Sequence, residues 1–365
     1  MEAFEILQDV VFVTLYGGVI MLCVVAALYL LLRRGNAIAP EVTSPVRLRR
    51  WTAAFLIVSA LSHVFWMFYI FHPSPTNYVI VCGLDLLMLF PTIAGVLLSM
   101  LQDQHRTVWP VLVLLIPAFI LMSLCIFRGD DSLYLLVTIY IFALYMLLML
   151  YVFFAVRRYG RWLRDNYADL ENKEVWQSLL ILAVFLLFFI MYSSTSETSP
   201  VLVYLLQVNS ILIAVLLLWR VETLQQLEES SPSEEADPAE DEPKASAPQA
   251  IPASIGPLLK KRCEEGQLYL QHDLTLVQLA HVIGTNRYYL SQYFAQQGIT
   301  YNAYINGLRV QHFIRLYHKA TADQRIFTAQ ELAFQSGFHS YSTFSATFKQ
   351  NMGTTVTAWI RSAEK

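Results

Sequence analysis

The chain has 365 residues, 56% of them hydrophobic and only 15% charged. A soluble globular chain carries about 25% charged residues, so this composition excludes an ordinary water-soluble enzyme and points to lipid as part of the solvent. The net charge of −3 conceals three blocks: residues 1–221 hold 13 basic and 13 acidic side chains, residues 222–254 hold 1 and 9, and residues 255–365 hold 11 and 6.

The first block contains seven apolar stretches, at about 10–32, 51–71, 78–101, 108–127, 132–156, 175–192 and 200–219. A helix needs about 20 apolar residues to cross the hydrocarbon core. Lipid leaves no partner for an open backbone, so helices are the economical reading of all seven. Loops 33–50, 102–107 and 157–174 carry eleven Lys and Arg, whereas the segments on the other side carry only Arg128. The basic side stays in the cytoplasm, which predicts an outer N-terminus, a retained first anchor and a cytoplasmic C-terminus at the inner, cytoplasmic membrane of a bacterium. Short outer loops leave little room for a large ligand, so the expected signal is a small molecule, another membrane protein or a physical stimulus.

Few polar groups interrupt the spans. Asp85 is the one acid well inside a span, His63 lies in the preceding helix, and Gln207 and Asn209 mark the last. An intramembrane carboxylate is costly to bury ionised, so Asp85 and His63 are the candidate signal residues. The alternative reading is a protonated Asp85 bonded to a neighbouring helix. Pro91 and Pro117 are expected to kink their helices. Cys23, Cys82, Cys125 and Cys263 form no CxxC pair and read as small buried hydrophobes.

Residues 221–227 extend the last span, and Leu217, Val221 and Leu224 share a face that a second copy of the chain would cover. A frayed helix end is the simpler reading. Residues 228–254 are rich in Glu, Asp, Pro, Ser and Ala, with little to bury, and are expected to be an extended disordered linker. The domains are therefore 1–220, a seven-helix membrane bundle; 221–254, juxtamembrane helix and linker; and 255–365, a soluble helical unit. The fold class is all-α throughout.

The last unit contains a duplication. Leu274–Ala280 aligns with Phe327–Ala333 at an offset of 53. Each copy has a capping box, Thr275 with Gln278 and Thr328 with Glu331, and a hydrophobic staple, Leu274 with Leu279 and Phe327 with Leu332. Ala280 and Ala333 suit a close helix crossing, and Gly284 and Gly337 suit the tight turn that follows. Second helices then open after Asn286 and Ser340, with stripes Leu290/Phe294 and Phe344/Phe348. Two helix-turn-helix corners in tandem are predicted. Residues 301–319 form a connecting helix, with Tyr304, Ile305, Leu308, Phe313 and Leu316 on its buried side.

These residues resemble the DNA-binding domain of the AraC/XylS transcription regulators over about 262–361. Asp273-Leu274-Thr275-Leu276, Leu279-Ala280, Gly284 and Tyr289-Leu290-Ser291 with Phe294 resemble its first half. Ala333, Gly337-Phe338, Phe344-Ser345, Phe348-Lys349 and Gly353 resemble its second. Val356 stands where that family usually has proline. The resemblance implies that Arg287, Tyr288, Ser291 and Gln292 face bases in one recognition helix, and Tyr341, Ser342 and Ser345 in the other. Arg and Gln match guanine and adenine edges. Arg309, Arg315 and Lys349 are candidate phosphate contacts.

The expected function is a membrane-embedded one-component transcription regulator whose partners are double-stranded DNA, the bilayer, a second copy of the chain and an unidentified signal. The alternative is a membrane receptor or transporter whose helical tail binds proteins. No catalytic set, cofactor motif or metal-ligand spacing points to an enzyme.

Overall fold

The computed structural model describes residues 9–33, 35–128, 133–176, 179–180, 182–183, 200–227 and 254–363. The chain divides into two units. One comprises Met1–Tyr159 with Asn172–Glu229; the other comprises Gly160–Glu171 with Ser230–Lys365. That grouping departs from the boundary expected at residue 220: the first unit runs on to Glu229, and the twelve residues Gly160–Glu171 belong with the C-terminal unit.

Among the described residues of the first unit, six helices are long and apolar enough to cross a membrane. They are α1 (Val10–Leu32), α2 (Val46–Phe71), α3 (Pro75–Ser99), α4 (Trp109–Arg128), α5 (Tyr134–Asn166) and α6 (Pro200–Thr223). The expected span at 175–192 lies mostly outside the described residues, as does nearly all of the linker at 228–254. Helix α1 packs against α2 and α6, α2 against α3, and α3 against α4. Gly95 permits the α2–α3 approach, since a Cβ there would stand 2.3 Å from the Trp51 ring. Large apolar side chains also point outward, among them Leu28, Leu112, Phe119, Phe142 and Leu150. Exposed apolar surface on this scale suits hydrocarbon, not water.

The basic end of this unit is tied down by charge. Buried Glu222 accepts from the Tyr29 hydroxyl at 2.9 Å and from the amides of Ala37 and Ile38, and it lies 4.0 Å from Arg49. Arg49 also donates to the Asn36 side chain and to the Leu30 and Arg33 carbonyls. The last span does not extend as a juxtamembrane helix. It stops at Thr223 because the next amides find partners elsewhere, Gln225 on the Asn172 carbonyl at 2.8 Å and Gln226 on the Thr43 carbonyl at 2.7 Å. Leu217, Val221 and Leu224 are wholly buried within the unit, so they offer no face to a second copy.

Helix α5 runs ten residues beyond its expected end. Its 33 residues span about 50 Å at 1.5 Å per residue, well beyond a hydrocarbon core of about 30 Å. Arg157, Arg158, Arg161 and Arg164 lie on that extension.

The second unit is helical. It contains α7 (Ile255–Leu258), continued as a π-helix over Leu259–Glu265, then α8 (Leu276–Ile283), α9 (Arg287–Gln296), α10 (Tyr301–Ala322), α11 (Ala329–Gln335), α12 (Tyr341–Met352) and α13 (Val356–Ala363). Two apolar cores flank α10. One gathers Leu276, Leu279, Ile283, Leu290, Phe294 and Ile305; the other gathers Phe313, Leu332, Phe338, Phe344, Phe348 and Val356. Among the described residues the four cysteines form no disulfide, and burial pushes Cys263 up to about 12.

Candidate nucleic-acid interface

Each corner is built by the same local chemistry. The Thr275 hydroxyl accepts from the Gln278 amide at 3.2 Å while the Gln278 side chain accepts from the Thr275 amide at 3.0 Å. Thr328 and Glu331 repeat the exchange at 3.1 and 3.0 Å. The turns also match. Gly284 has φ +77° and Gly337 φ +89°. Beside them the Thr285 amide bonds the Ala280 carbonyl at 2.9 Å and the Phe338 amide bonds the Ala333 carbonyl at 3.3 Å. The second bond of each pair joins Gly284 to His281 and Gly337 to Phe334. These are Schellman turns, and the alanines of the duplication supply one carbonyl of each.

The second helices open on their caps. Asn286 accepts from the Tyr289 amide at 3.0 Å and Ser340 from the Thr343 amide at 3.3 Å. Leu290 and Phe294 bury one face of α9, and Phe344 and Phe348 bury the same face of α12. The closing turn forms without proline. Gly353 adopts φ +71° and bonds the Lys349 carbonyl, and Val356 is the buried first residue of α13. A proline at that position would only pre-set an amide that has no helical partner in any case.

Arg287, Tyr288, Ser291 and Gln292 lie at positions i, i+1, i+4 and i+5 of α9, and Tyr341, Ser342 and Ser345 at i, i+1 and i+4 of α12. Within each helix they therefore share one face. Tyr288, Ser291, Gln292, Ser342 and Lys349 are exposed, whereas Arg287, Tyr341 and Ser345 are half-buried. Tyr341 packs its ring 5.7 Å from Phe344, and Ser342 shares a hydroxyl contact of 3.0 Å with the Ser340 cap. Arg287 donates from Nε to the Asn166 side chain at 3.0 Å. Arg315 is exposed and donates to the Tyr269 hydroxyl at 3.0 Å. In the apolar unit, Asp85 accepts from the Trp66 indole at 2.6 Å. The His63 ring bonds the Ser59 carbonyl, and its backbone carbonyl accepts from Tyr16.

Arg309 requires a correction. Expected at a phosphate, it is fully buried. Its guanidinium donates to Asp169 through both terminal nitrogens, at 2.8 and 3.3 Å, to the Asn306 side chain, and to the Tyr269 and Gln271 carbonyls at 2.8 Å each. All five N–H groups are engaged. The plane also lies 5.7 Å from the centre of the Phe338 ring. Asp169 takes a further bond from the Asp273 amide at 2.9 Å. The rest of the segment follows it in. The Ala168 amide bonds the Leu274 carbonyl, and the Ala168 carbonyl accepts from Asn302 and Asn306. Tyr167 forms an isolated antiparallel bridge with Thr275. Glu171 accepts from the Thr343 hydroxyl at 3.2 Å.

Sequence reasoning missed this segment. A signal for Arg309 was present, since it lies four residues after Ile305 and four before Phe313 on the buried stripe of α10. An arginine on such a stripe demands a carboxylate. Nothing local marks Asp169 as its partner, 140 residues away.

A family model described as a helix-turn-helix domain matches residues 279–362. No curated protein and no solved structure matches the chain. The family match covers both Schellman turns, both second helices with their caps, and the second capping box, and residues 279–362 are thus a helix-turn-helix domain of the AraC type.

Proposed function

We propose that the chain is a membrane-embedded one-component transcription regulator. The observation that carries this reading is the pair of matched corners, whose second helices leave polar side chains exposed, Tyr288, Ser291 and Gln292 on α9 and Ser342 on α12. Such faces suit base edges and phosphates; a protein-docking helix presents an apolar face. Six span-length apolar helices among the described residues precede the domain, and the eleven-to-one distribution of loop cations supports a cytoplasmic C-terminal unit and an outer N-terminus. The stimulus enters through the helical bundle, with Asp85 and His63 as its candidate residues. Asp85→Asn is expected to abolish signal-dependent promoter output while leaving protein levels unchanged.

The test of DNA binding uses the full chain in lipid nanodiscs and duplexes from its own upstream region, at low salt. Replacing Arg287 and Gln292 together with alanine is expected to remove sequence-dependent binding, each contact being worth about 1–3 kcal/mol of discrimination. Binding that survives both changes would move base reading away from Arg287 and Gln292, whereas no sequence-dependent binding by the unaltered chain would favour the receptor or transporter with a protein-binding tail.

A further inference from the structure

We propose that residues 166–171 are a latch that occupies the DNA-reading surface in place of the duplex, and that displacement of this cytoplasmic loop switches the regulator on. The inference rests on the DNA-binding reading above and concerns the control of that site.

The loop reaches the N-terminal turn of both recognition helices. Asn166 presents a side-chain oxygen to Arg287, the first residue of α9. Glu171 presents a carboxylate to Thr343, the third residue of α12. The N-terminal residues of a recognition helix are those that enter the groove. A helix N-terminus with capping hydroxyls also attracts an anion such as a DNA phosphate. The latch thus supplies an acceptor to the arginine, as guanine would, and a negative oxygen near the start of α12, as a phosphate would. A duplex and the loop cannot both take these positions.

Between those two contacts the loop is anchored, not draped. Asp169 is 3% exposed and neutralises Arg309, whose other bonds go to the Tyr269 and Gln271 carbonyls. Arg309 stands where the two corners meet: a Cβ on Gly337 would lie 3.1 Å from its Nε and 2.9 Å from the Leu270 backbone. Asp169 therefore holds the joint between the corners while its neighbours cover their reading ends. The latch begins at Asn166, the last residue of α5, so a shift of that helix acts on it without a separate messenger.

The test compares wild type with Asn166→Ala/Glu171→Ala in the full chain in nanodiscs, by fluorescence anisotropy on upstream duplex. This pair spares the Asp169–Arg309 anchor and hence the fold. A latch closed nine-tenths of the time lowers apparent affinity about tenfold, and the double variant is expected to recover that factor. Unchanged or weaker binding by a folded double variant overturns the latch while leaving DNA binding intact. Failure of both proteins to bind any upstream duplex overturns the DNA-binding reading and the latch with it. Hydrogen exchange supplies a second measurement on the wild type alone. Saturating duplex is expected to speed exchange at the Ala168 and Asp273 amides, which the latch protects; unchanged or slower exchange overturns it.

Discussion

Arg309 lies on a stripe with Ile305, Phe313 and Tyr317, every fourth residue of α10 and every one buried. Desolvating a guanidinium is costly unless its charge and all its donors are met. Asp169 meets the charge, and carbonyls from the chain before the first corner meet the rest. Asp169→Asn is expected to cost about 3–5 kcal/mol, the usual penalty for removing one partner of a buried pair, read as faster hydrogen exchange across Tyr269–Asp273. Arg309→Met in the same chain should restore part of that protection, because the stranded charge is gone. His312 behaves oppositely to a paired cation. Burial and the nearby Arg315 hold its imidazole below its usual value, while its Nδ1 lies 2.9 Å from the Tyr269 hydroxyl. The unfolded chain therefore binds the proton more readily, and the C-terminal unit should lose stability as the pH falls below about 6.5 and through the lower folded-state value. His312→Gln should flatten that acid limb in a pH series of thermal unfolding.

At the scale of elements, the two corners are one design executed twice, and their differences are informative. Both boxes should respond alike: Thr275→Ala and Thr328→Ala each cost about 1 kcal/mol, measured as local exchange in α8 and α11. The turn glycines should not. Gly284 has a positive φ but open space around its missing Cβ, so Gly284→Ala costs only the left-handed strain, about 1–2 kcal/mol. At Gly337 a Cβ would also meet the Leu270 backbone at 2.9 Å, adding an overpacking cost of about 1–3 kcal/mol. The second turn is pressed against the joint and the first is not. Equal losses of thermal stability in the two variants would contradict that difference. The elements themselves were legible in the sequence because caps, staples, turn glycines and i,i+4 stripes act within a few residues. The end of α5 was not. Arg157 to Arg164 resembled a loop by charge, yet they continue the helix, since exposed arginines are good helix formers outside lipid.

At the scale of the whole molecule, the chain divides its charge by solvent. The apolar block is neutral, and residues 255–365 carry five net positive charges. That excess is modest for a DNA-binding unit, so affinity should fall steeply with salt, and Lys349→Ala should lower the salt slope by about one if that side chain holds a phosphate. Titration of the full chain at several salt concentrations measures it. Wholly buried Leu217, Val221 and Leu224 remove the surface that the sequence suggested for pairing two copies.

By itself the sequence determined the span-length helices, the all-α class and the tandem corners, because hydrophobic length, periodicity and capping are written in near neighbours. Only the tertiary structure decided that Arg309 is a buried joint instead of a phosphate contact, and that Gly160–Glu171 belongs with the DNA-reading unit. A buried ion pair leaves no periodic trace along the chain: its partners are selected by where two distant segments meet, and here 140 residues separate them.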